Sequence, residues 1–225
     1  MAIARRAQVY AALGDPGRLA IVDHLAVSDR SASELGQALD MPSNLLAHHL
    51  RVLEKAGVIA RERSEGDRRR TYVRLRTDDP AVAAAAGTSL PQPAQVVFVC
   101  TQNSARSQLA AAAWRRTSTL PVRSAGTHPA ARVHPKAVRA GRRHGLDMDG
   151  LTTSAIDDLA PGDLVVAVCD QVHEELAPGE RLHWSVKDPV RVGTAAAFDL
   201  VATDILQRVD RLATALTQTG PDRSS

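Results

Sequence analysis

QVVFVCTQNSARSQLAAAAWRR, residues 95–116, decides how the second half of the chain folds. Gln95-Val-Val-Phe-Val99 is a short continuous apolar run of the kind that forms a buried parallel strand, and the segment from Ser107 to Arg116 is helix-forming. Between them lies Cys-x5-Arg-Ser. A loop running from a strand into a helix N-terminus aims several backbone N–H groups at one spot and adds the positive end of the helix dipole, which makes a cradle for a tetrahedral oxyanion. Cys100 sits at the base of that cradle, with Thr101, Gln102, Asn103, Ser104 and Ala105 as its wall. The same field stabilises a thiolate. Arg106 adds a full charge and a fork of donors for two oxygens, and Ser107 can donate a hydrogen bond to the sulfur. Cys-x5-Arg alone recurs by accident in many chains. The strand before it and the helix after it make this occurrence specific.

Displacement at the central atom of such an oxyanion also needs a proton donor for the departing oxygen. Asp188, in the Asp-Pro of HWSVKDPV and 88 residues after Cys100, is the candidate. Asp-Pro by itself is ordinary turn chemistry and gains weight only beside the thiol loop. Arg123-Ser-Ala-Gly-Thr-His-Pro, Asp163-Leu-Val-Val-Ala-Val-Cys169-Asp170 and a closing helix over about 195–216 continue the alternation of strand and helix signals. They predict a small doubly wound α/β domain with a parallel sheet.

Ahead of this domain, GTSLPQPAQ (87–95) has the Gly, Ser and Pro content of a linker. Division there predicts a first domain over 1–87, a linker over 88–94, a second domain over 95–219 and a tail over 220–225. Within the first domain, 4–13 and 16–26 read as helices separated by Gly14-Asp15-Pro16. Ser31-Ala-Ser-Glu34 is a capping box, and Pro42-Ser43-Asn44 opens a helix that runs to about Ala56 before Gly57 ends it. The two helices joined by Asp40-Met41-Pro42 have helix-turn-helix spacing. On the second of them Leu46, Leu50 and Leu53 face the core, which turns Ser43, Asn44, Ala47, His48 and Arg51 outward, toward a major groove. VIARERSEGDRRRTYVRLR then alternates like two strands around a turn at 65–67, placing Arg68, Arg69 and Arg70 on a hairpin wing. Asp79-Pro80 through Gly87 predicts one more short helix, closed by the glycine. The first domain is thus an α+β winged helix-turn-helix.

Charge agrees with that division. The net charge of +3 hides 13 Lys+Arg against 9 Asp+Glu over residues 1–76 and 15 against 16 in the remainder. Seven arginines against three acids fall in 61–76, a footprint that suits a polyanion rather than an ordinary solvated face. No apolar run approaches the ~18 residues of a membrane span. The N-terminus is too polar for a signal peptide, so a cytoplasmic protein is expected. Two cysteines cannot build a disulfide framework, so Cys100 and Cys169 are expected as reduced thiols. His24, His48 and His49 lack acidic companions at ligand spacing, and no metal site is expected.

Two resemblances follow from these motifs. Through ALGDPGRLAIVDHL, SASELGQAL, SNLLAHHLRVLEKAGVI and the basic hairpin, residues 4–80 resemble the ArsR family of winged-helix repressors. That implies a homodimer bound to a palindromic DNA operator, with the first helix and the helix after the wing at the dimer contact. Arsenic- and metal-sensing members place cysteines near the helix-turn-helix. None occurs in this half, which excludes thiol sensing within it. Through VVFVCTQNSARSQLA, SAGTHPAARVHPKAVRAGRRHGLDMDG, DLVVAVCD and WSVKDPV, residues 95–217 resemble the low-molecular-weight tyrosine phosphatases, and more closely their arsenate reductase branch. By position the resemblance makes Cys100 the nucleophile, Arg106 the oxyanion clamp, Asp188 the general acid, Ser107 the thiolate-stabilising hydroxyl and Asn103 a residue that fixes the loop.

Tyrosine phosphatases of this family place tyrosines just after the Asp-Pro; here the residues are Val190, Arg191 and Val192, and Tyr10 and Tyr72 lie in the other half. An aryl substrate finds little to stack on, whereas arsenate or a similar phosphate-like oxyanion needs no such wall. Thioredoxin-coupled reductases of this branch use two further cysteines. One is matched by Cys169, a possible resolving thiol or an inert buried one, and Leu176 stands near the place of the other. The expected reductant is therefore external, a low-molecular-weight thiol or a glutaredoxin-like protein, with no bound cofactor. The combined expectation is an arsenic-resistance fusion of DNA-binding regulator and arsenate reductase. The rivals are a phosphatase and a transcription factor whose second domain only senses an oxyanion.

Overall fold

The structure, a computed structural model, describes residues 2–157, 159–177, 179 and 181–217. The expected tail over 220–225 lies outside the described residues. Backbone proximity separates two units, the first holding residues 2–64 and 68–88 and the second residues 65–67 and those from 89 onward.

The first unit runs α1 (Ala2–Leu13), α2 (Pro16–Leu25), β1 (Arg30–Ser31), α3 (Ala32–Ala38), α4 (Ser43–Lys55), β2 (Ile59–Arg63), β3 (Thr71–Leu75) and α5 (Pro80–Ala85). Its helix boundaries follow the caps written in the sequence. The Asp15 carboxylate accepts from the Arg18 N–H at 3.0 Å, and Ser31 and Glu34 form a reciprocal capping box at the start of α3. Asp40, at φ +46°, turns the chain between α3 and α4. At the far end of α4, Gly57 adopts φ +65° while Gly57 N–H bonds Glu54 C=O and Val58 N–H bonds Leu53 C=O, the double closure of a Schellman motif. Leu46, Leu50 and Leu53 of α4 are buried together with Val9, Ile21, Val22, Leu25, Leu35 and Val73, so one core joins the helices to the sheet.

β2 and β3 pair antiparallel from Ile59↔Leu75 to Arg63↔Thr71, and β1 adds to the other side of β3. The connection between β2 and β3 spans 64–70, longer than the turn read at 65–67, so Arg68, Arg69 and Arg70 all belong to the loop at the end of the hairpin. Gly87 does not close α5. The helix ends at Ala86 in an extended conformation (φ −83°, ψ 118°), which needs no left-handed residue.

The second unit runs β4 (Gln95–Cys100), α6 (Arg106–Thr117), β5 (Val122–Gly126), α7 (Pro135–Arg143), β6 (Asp163–Ala167), α8 (Asp170–Glu175), β7 (Leu182–His183), α9 (Pro189–Val192) and α10 (Ala195–Thr217). All four strands are parallel, in the order β5-β4-β6-β7. β4 has a strand on each side and is covered on both faces, which is why Val96, Val97, Phe98 and Val99 form an unbroken apolar run with no exposure. Phe98 packs against Trp114 of α6 and Trp184, at ring separations of 6.2 and 5.5 Å. α6 begins at Arg106, one residue before the sequence reading, and it packs on α10, β4 and β5.

Candidate active site

Strand order creates the site. In a parallel sheet the C-terminal ends of neighbouring strands open at one edge, and ligands bind in the crevice outside them. β4 pairs with β6 through Val99↔Ala167, and Val168 N–H bonds Val99 C=O, so Cys100, the last residue of β4, and Cys169, two residues past β6, emerge at the same edge. On the other side of β4, Cys100 pairs with Gly126 at the end of β5.

The loop from Cys100 to Arg106 is held from outside by its carbonyls. Those of Cys100, Thr101, Gln102 and Ser104 accept N–H bonds from Thr127, His128, Ala130 and His134 at 2.7–3.3 Å. Because N–H and C=O point opposite ways across a trans peptide, this turns the N–H groups of the same peptide units inward, over the thiol. Gly126 permits the close approach: a Cβ there would sit 2.8 Å from Thr101 O and 2.9 Å from Asn103 N, both backbone atoms.

Asn103, at φ +48°, has the strained conformation that the loop requires, and it is fully buried. Its Nδ2 donates to Ser107 Oγ at 2.8 Å, which leaves the Ser107 proton to point at Cys100 Sγ, 3.0 Å away. Its Oδ1 accepts from Gln108 Nε2 at 3.0 Å and from Ser154 N–H at 2.8 Å. Gln108 also bonds the carbonyls of Asn103 and Thr152. Sequence reading passed over Gln108 and Gly126. Neither carries chemistry of its own, and their partners lie far along the chain.

Arg106 is nearly buried, with Nη1 donating to Val186 C=O at 3.0 Å and Nη2 lying 3.5 Å from Asp188 Oδ2. Burial opposes its charge, but the sulfurs of Cys169 and Cys100 and the Asp188 carboxylate hold its pKa above the ordinary arginine value. Asp188 caps α9: its Oδ1 accepts from Val190 N–H at 3.0 Å. The Asp188 side chain is thus fixed at the cleft between helix cap and guanidinium.

Cys169 is buried at the N-terminus of α8, with its sulfur 3.7 Å from Thr101 Oγ1 of the loop. Burial pushes its thiol up, and Arg106 offsets this only in part. Next to it Asp170 and His183 form a buried pair at 2.9 Å, and the His183 ring stacks on His173 of α8 at 4.1 Å. Burial alone raises the Asp170 carboxyl, yet the bond from His183 helps to keep it below the usual carboxylate range. This pair, missed in the sequence, fastens α8 and therefore Cys169 to β7.

Thr101, Gln102, Arg106, Cys169, Asp170, Gln171, Asp188, Val190 and Arg191 line one cleft. No aromatic ring is among them; Phe98, Phe198, Trp114 and Trp184 are all in the core. Among the described residues no group of three or more His, Cys, Asp or Glu is arranged to hold a metal ion. No helix among them is long and apolar enough to cross a membrane.

In the first unit, Ser43, Asn44, His48 and Arg51 are exposed on α4, and Arg68, Arg69 and Arg70 are exposed on the hairpin loop. His49, one residue on, is buried and its Nδ1 lies 3.7 Å from Asp15 Oδ1. Burial pushes the partly covered His24 below the ordinary histidine value.

Comparison with known proteins matches each unit. The profile of a helix-turn-helix domain covers residues 13–62. An arsenate reductase of Halalkalibacterium halodurans is 35% identical over 133 residues, 52% of this chain and 94% of that protein. One of Bacillus licheniformis is 34% identical over 132 residues, again 52% and 94% of the two chains. Among solved structures, a tyrosine phosphatase of Erwinia amylovora superposes with a TM-score of 0.51 at 16% identity, covering 56% of this chain and 95% of that one, a likeness of fold. The profile of the low molecular weight phosphotyrosine protein phosphatases covers residues 95–221, more than half of the chain. The chain belongs to that family, with a helix-turn-helix domain ahead of its phosphatase-type domain.

Proposed function

We propose that the second domain reduces arsenate to arsenite with external thiols, and that the first binds DNA as a transcriptional regulator of arsenic resistance. The observation that carries the enzymatic half is the cleft itself. It brings Arg106, Asp188 and Cys169 together beside the Cys100 loop and presents no aromatic wall for an aryl ester. The curated relatives matched over this half are named arsenate reductases, which supports the same substrate.

In this reading the inward N–H groups of Thr101, Gln102, Asn103 and Ala105 and the Arg106 fork hold arsenate against Cys100. The Cys100 thiolate attacks arsenic; an S–As bond forms, an As–O bond breaks, and the oxygen leaves as water on taking a proton from Asp188. Ser107, oriented by Asn103, stabilises the thiolate before attack. Cys169, once deprotonated, then attacks Cys100 Sγ. A disulfide forms, the S–As bond breaks, and its electron pair stays on arsenic, which leaves as arsenite. Two sulfurs are oxidised by one electron each as arsenic gains two. Two equivalents of an external thiol, of low molecular weight or on a glutaredoxin-like protein, return the disulfide to thiols.

For the regulatory half, residues 1–87 are the DNA-binding and dimerisation domain, 88–94 the linker and 95–219 the enzyme. Ser43, Asn44, His48 and Arg51 meet base edges or phosphates of an operator, and Arg68, Arg69 and Arg70 neutralise phosphates beside them. Ile3 and Tyr10, exposed on α1 at 82% and 47%, favour a homodimer that covers them.

The deciding assay is arsenite formation by the purified chain, its Cys100→Ser and its Cys169→Ser variants, with an aryl phosphate tested in parallel. Hydrolysis of the aryl phosphate without arsenate reduction would make it a phosphatase. Anion binding that survives Cys100→Ser, with no turnover of either substrate by the parent chain, would make it a sensor.

A further inference from the structure

Arg191 is the exposed cation of the cleft. It lines the same space as Arg106 and Cys169, yet no ion pair or hydrogen bond engages it among the described residues. Arg142 and Arg143, also exposed, are paired with Asp149 at 2.5 Å and with Asp199 at 2.8 Å, and other exposed arginines of this unit, Arg115, Arg132 and Arg139, lie outside the cleft lining, so it is the place of Arg191 in the cleft that sets it apart. The backbone beneath Arg191 is also fixed. α9 is capped at its start by Asp188, closed at its end by Gly193 at φ +74°, and tied to α7 by Lys136 Nζ donating to the Gly193 carbonyl. Pro189, the first residue of α9, is buried. An exposed positive charge thus lines the cleft in addition to Arg106, which is buried and oriented by Val186 C=O and Asp188.

Two molecules visit this cleft in the reductase cycle. Arsenate, in that reading, is held by the Cys100 loop and Arg106. The reductant is larger: its sulfur must reach the Cys100–Cys169 disulfide, and the rest of it must lie toward the mouth. Gln102, Gln171, Val190 and Arg191 are among the residues that line the cleft, and the lining holds neither an aromatic ring nor a broad apolar surface.

Resting on the reductase reading, we propose that Arg191 selects the reductant, so that the cleft prefers a small thiol carrying a negative charge over a neutral or cationic one. The chemistry balances with two such thiols. The first, as thiolate, attacks one sulfur of the enzyme disulfide, forming a mixed disulfide and expelling the other enzyme sulfur as a thiolate. The second attacks the outer sulfur of the mixed disulfide, forming the external disulfide and returning the remaining enzyme thiolate. Arg191 touches none of these sulfurs. It holds the charged end of the incoming thiol.

The test uses the full chain, arsenate and three thiols of similar size: 3-mercaptopropionate (anionic), 2-mercaptoethanol (neutral) and cysteamine (cationic). Rates are expressed as kcat/KM per thiolate, which removes the differences in thiol acidity. The expected order is anionic, then neutral, then cationic, with about a threefold to fivefold preference for the anionic over the neutral thiol, as for an exposed charge pair. Arg191→Ala abolishes that preference, Arg191→Glu inverts it, and Arg191→Lys retains it; added salt weakens it in the parent chain. A merely structural role for Arg191 would lower all three rates together and leave their ratios unmoved. If arsenite forms with every thiol and the ratios are the same in parent and Arg191→Glu chains, the inference falls while the reductase reading stands. If no thiol supports arsenite formation, both fall.

Discussion

Cys100 Sγ and Ser107 Oγ lie 3.0 Å apart, and Asn103 Nδ2 donates to the same hydroxyl at 2.8 Å. The donation from Asn103 decides the direction of the other bond. An oxygen already receiving a proton on one side offers its own to the sulfur on the other. Asn103 is in turn held by Gln108 and Ser154, so the nucleophile is oriented by a chain of fixed donors rather than by one side chain. Hydrogen bonds to charged groups contribute about 1.5–3 kcal/mol. Ser107→Ala is therefore expected to slow alkylation of Cys100 by iodoacetamide about 10- to 100-fold at neutral pH, with thermal unfolding little changed. Equal alkylation rates in the two proteins would remove Ser107 from the mechanism.

Asp188→Asn keeps the shape of the α9 cap but removes the proton. General-acid catalysis supplies a factor of about 10²–10⁴, so formation of the Cys100–arsenic adduct falls by that order while anion binding persists. Rapid-quench measurement of adduct formation, beside arsenate binding by calorimetry, separates the two effects.

Gly126→Ala places a methyl against the backbone of Thr101 and Asn103, which cannot rotate away. A loss of about 1–3 kcal/mol in stability is expected, with weakened oxyanion binding because the loop must shift. Chemical denaturation with and without phosphate reads both quantities.

Cys169 carries a pH signature. Its folded-state pKa is raised by burial, so above about pH 8.5, the ordinary thiol value, the unfolded chain loses a proton that the native state keeps. Stability from this group therefore declines as pH rises through that range, and Cys169→Ser flattens the decline. The same protonation makes arsenite release in a single turnover accelerate with rising pH beyond neutrality. Release that is independent of pH between about 7 and 9 would show that Cys169 does not attack as a thiolate.

The regulatory half predicts a different dependence. If Arg68, Arg69 and Arg70 contact phosphates, replacing one by alanine weakens binding to specific and random DNA alike and lowers the slope of log K against log salt by about 0.9. Replacing Asn44 or Arg51 by alanine is expected to cost about 1–3 kcal/mol on the operator alone if either reads a base. Electrophoretic mobility shifts over a salt series distinguish these behaviours.

Much of this architecture was legible along the chain because its signals are local. Asp15, the Ser31–Glu34 box and Gly57 set helix ends by bonds within a few residues, and the apolar run of β4 announces a strand buried on both sides. Two-residue strands, β1 at Arg30–Ser31 and β7 at Leu182–His183, are too short for any periodicity to register. The site was legible in its loop but not in its supports. Gln108 reaches Thr152 and Asn103 reaches Ser154, contacts set by the tertiary fold alone. Cys169 read equally as an inert core thiol or a reactive one, because its nearness to Cys100 depends on β6 lying beside β4, and strand order leaves no mark within either segment. The Asp170–His183 pair was hidden for the same reason.

The central claim is that Cys100 reduces arsenate using thiols. Its most direct measurement is arsenite produced by the purified full chain from arsenate and an excess of thiol, quantified by arsenic speciation. The prediction is multiple turnovers that vanish in Cys100→Ser and drop sharply in Cys169→Ser. Absence of arsenite from the parent chain, with hydrolysis of an aryl phosphate that depends on Cys100, would contradict it.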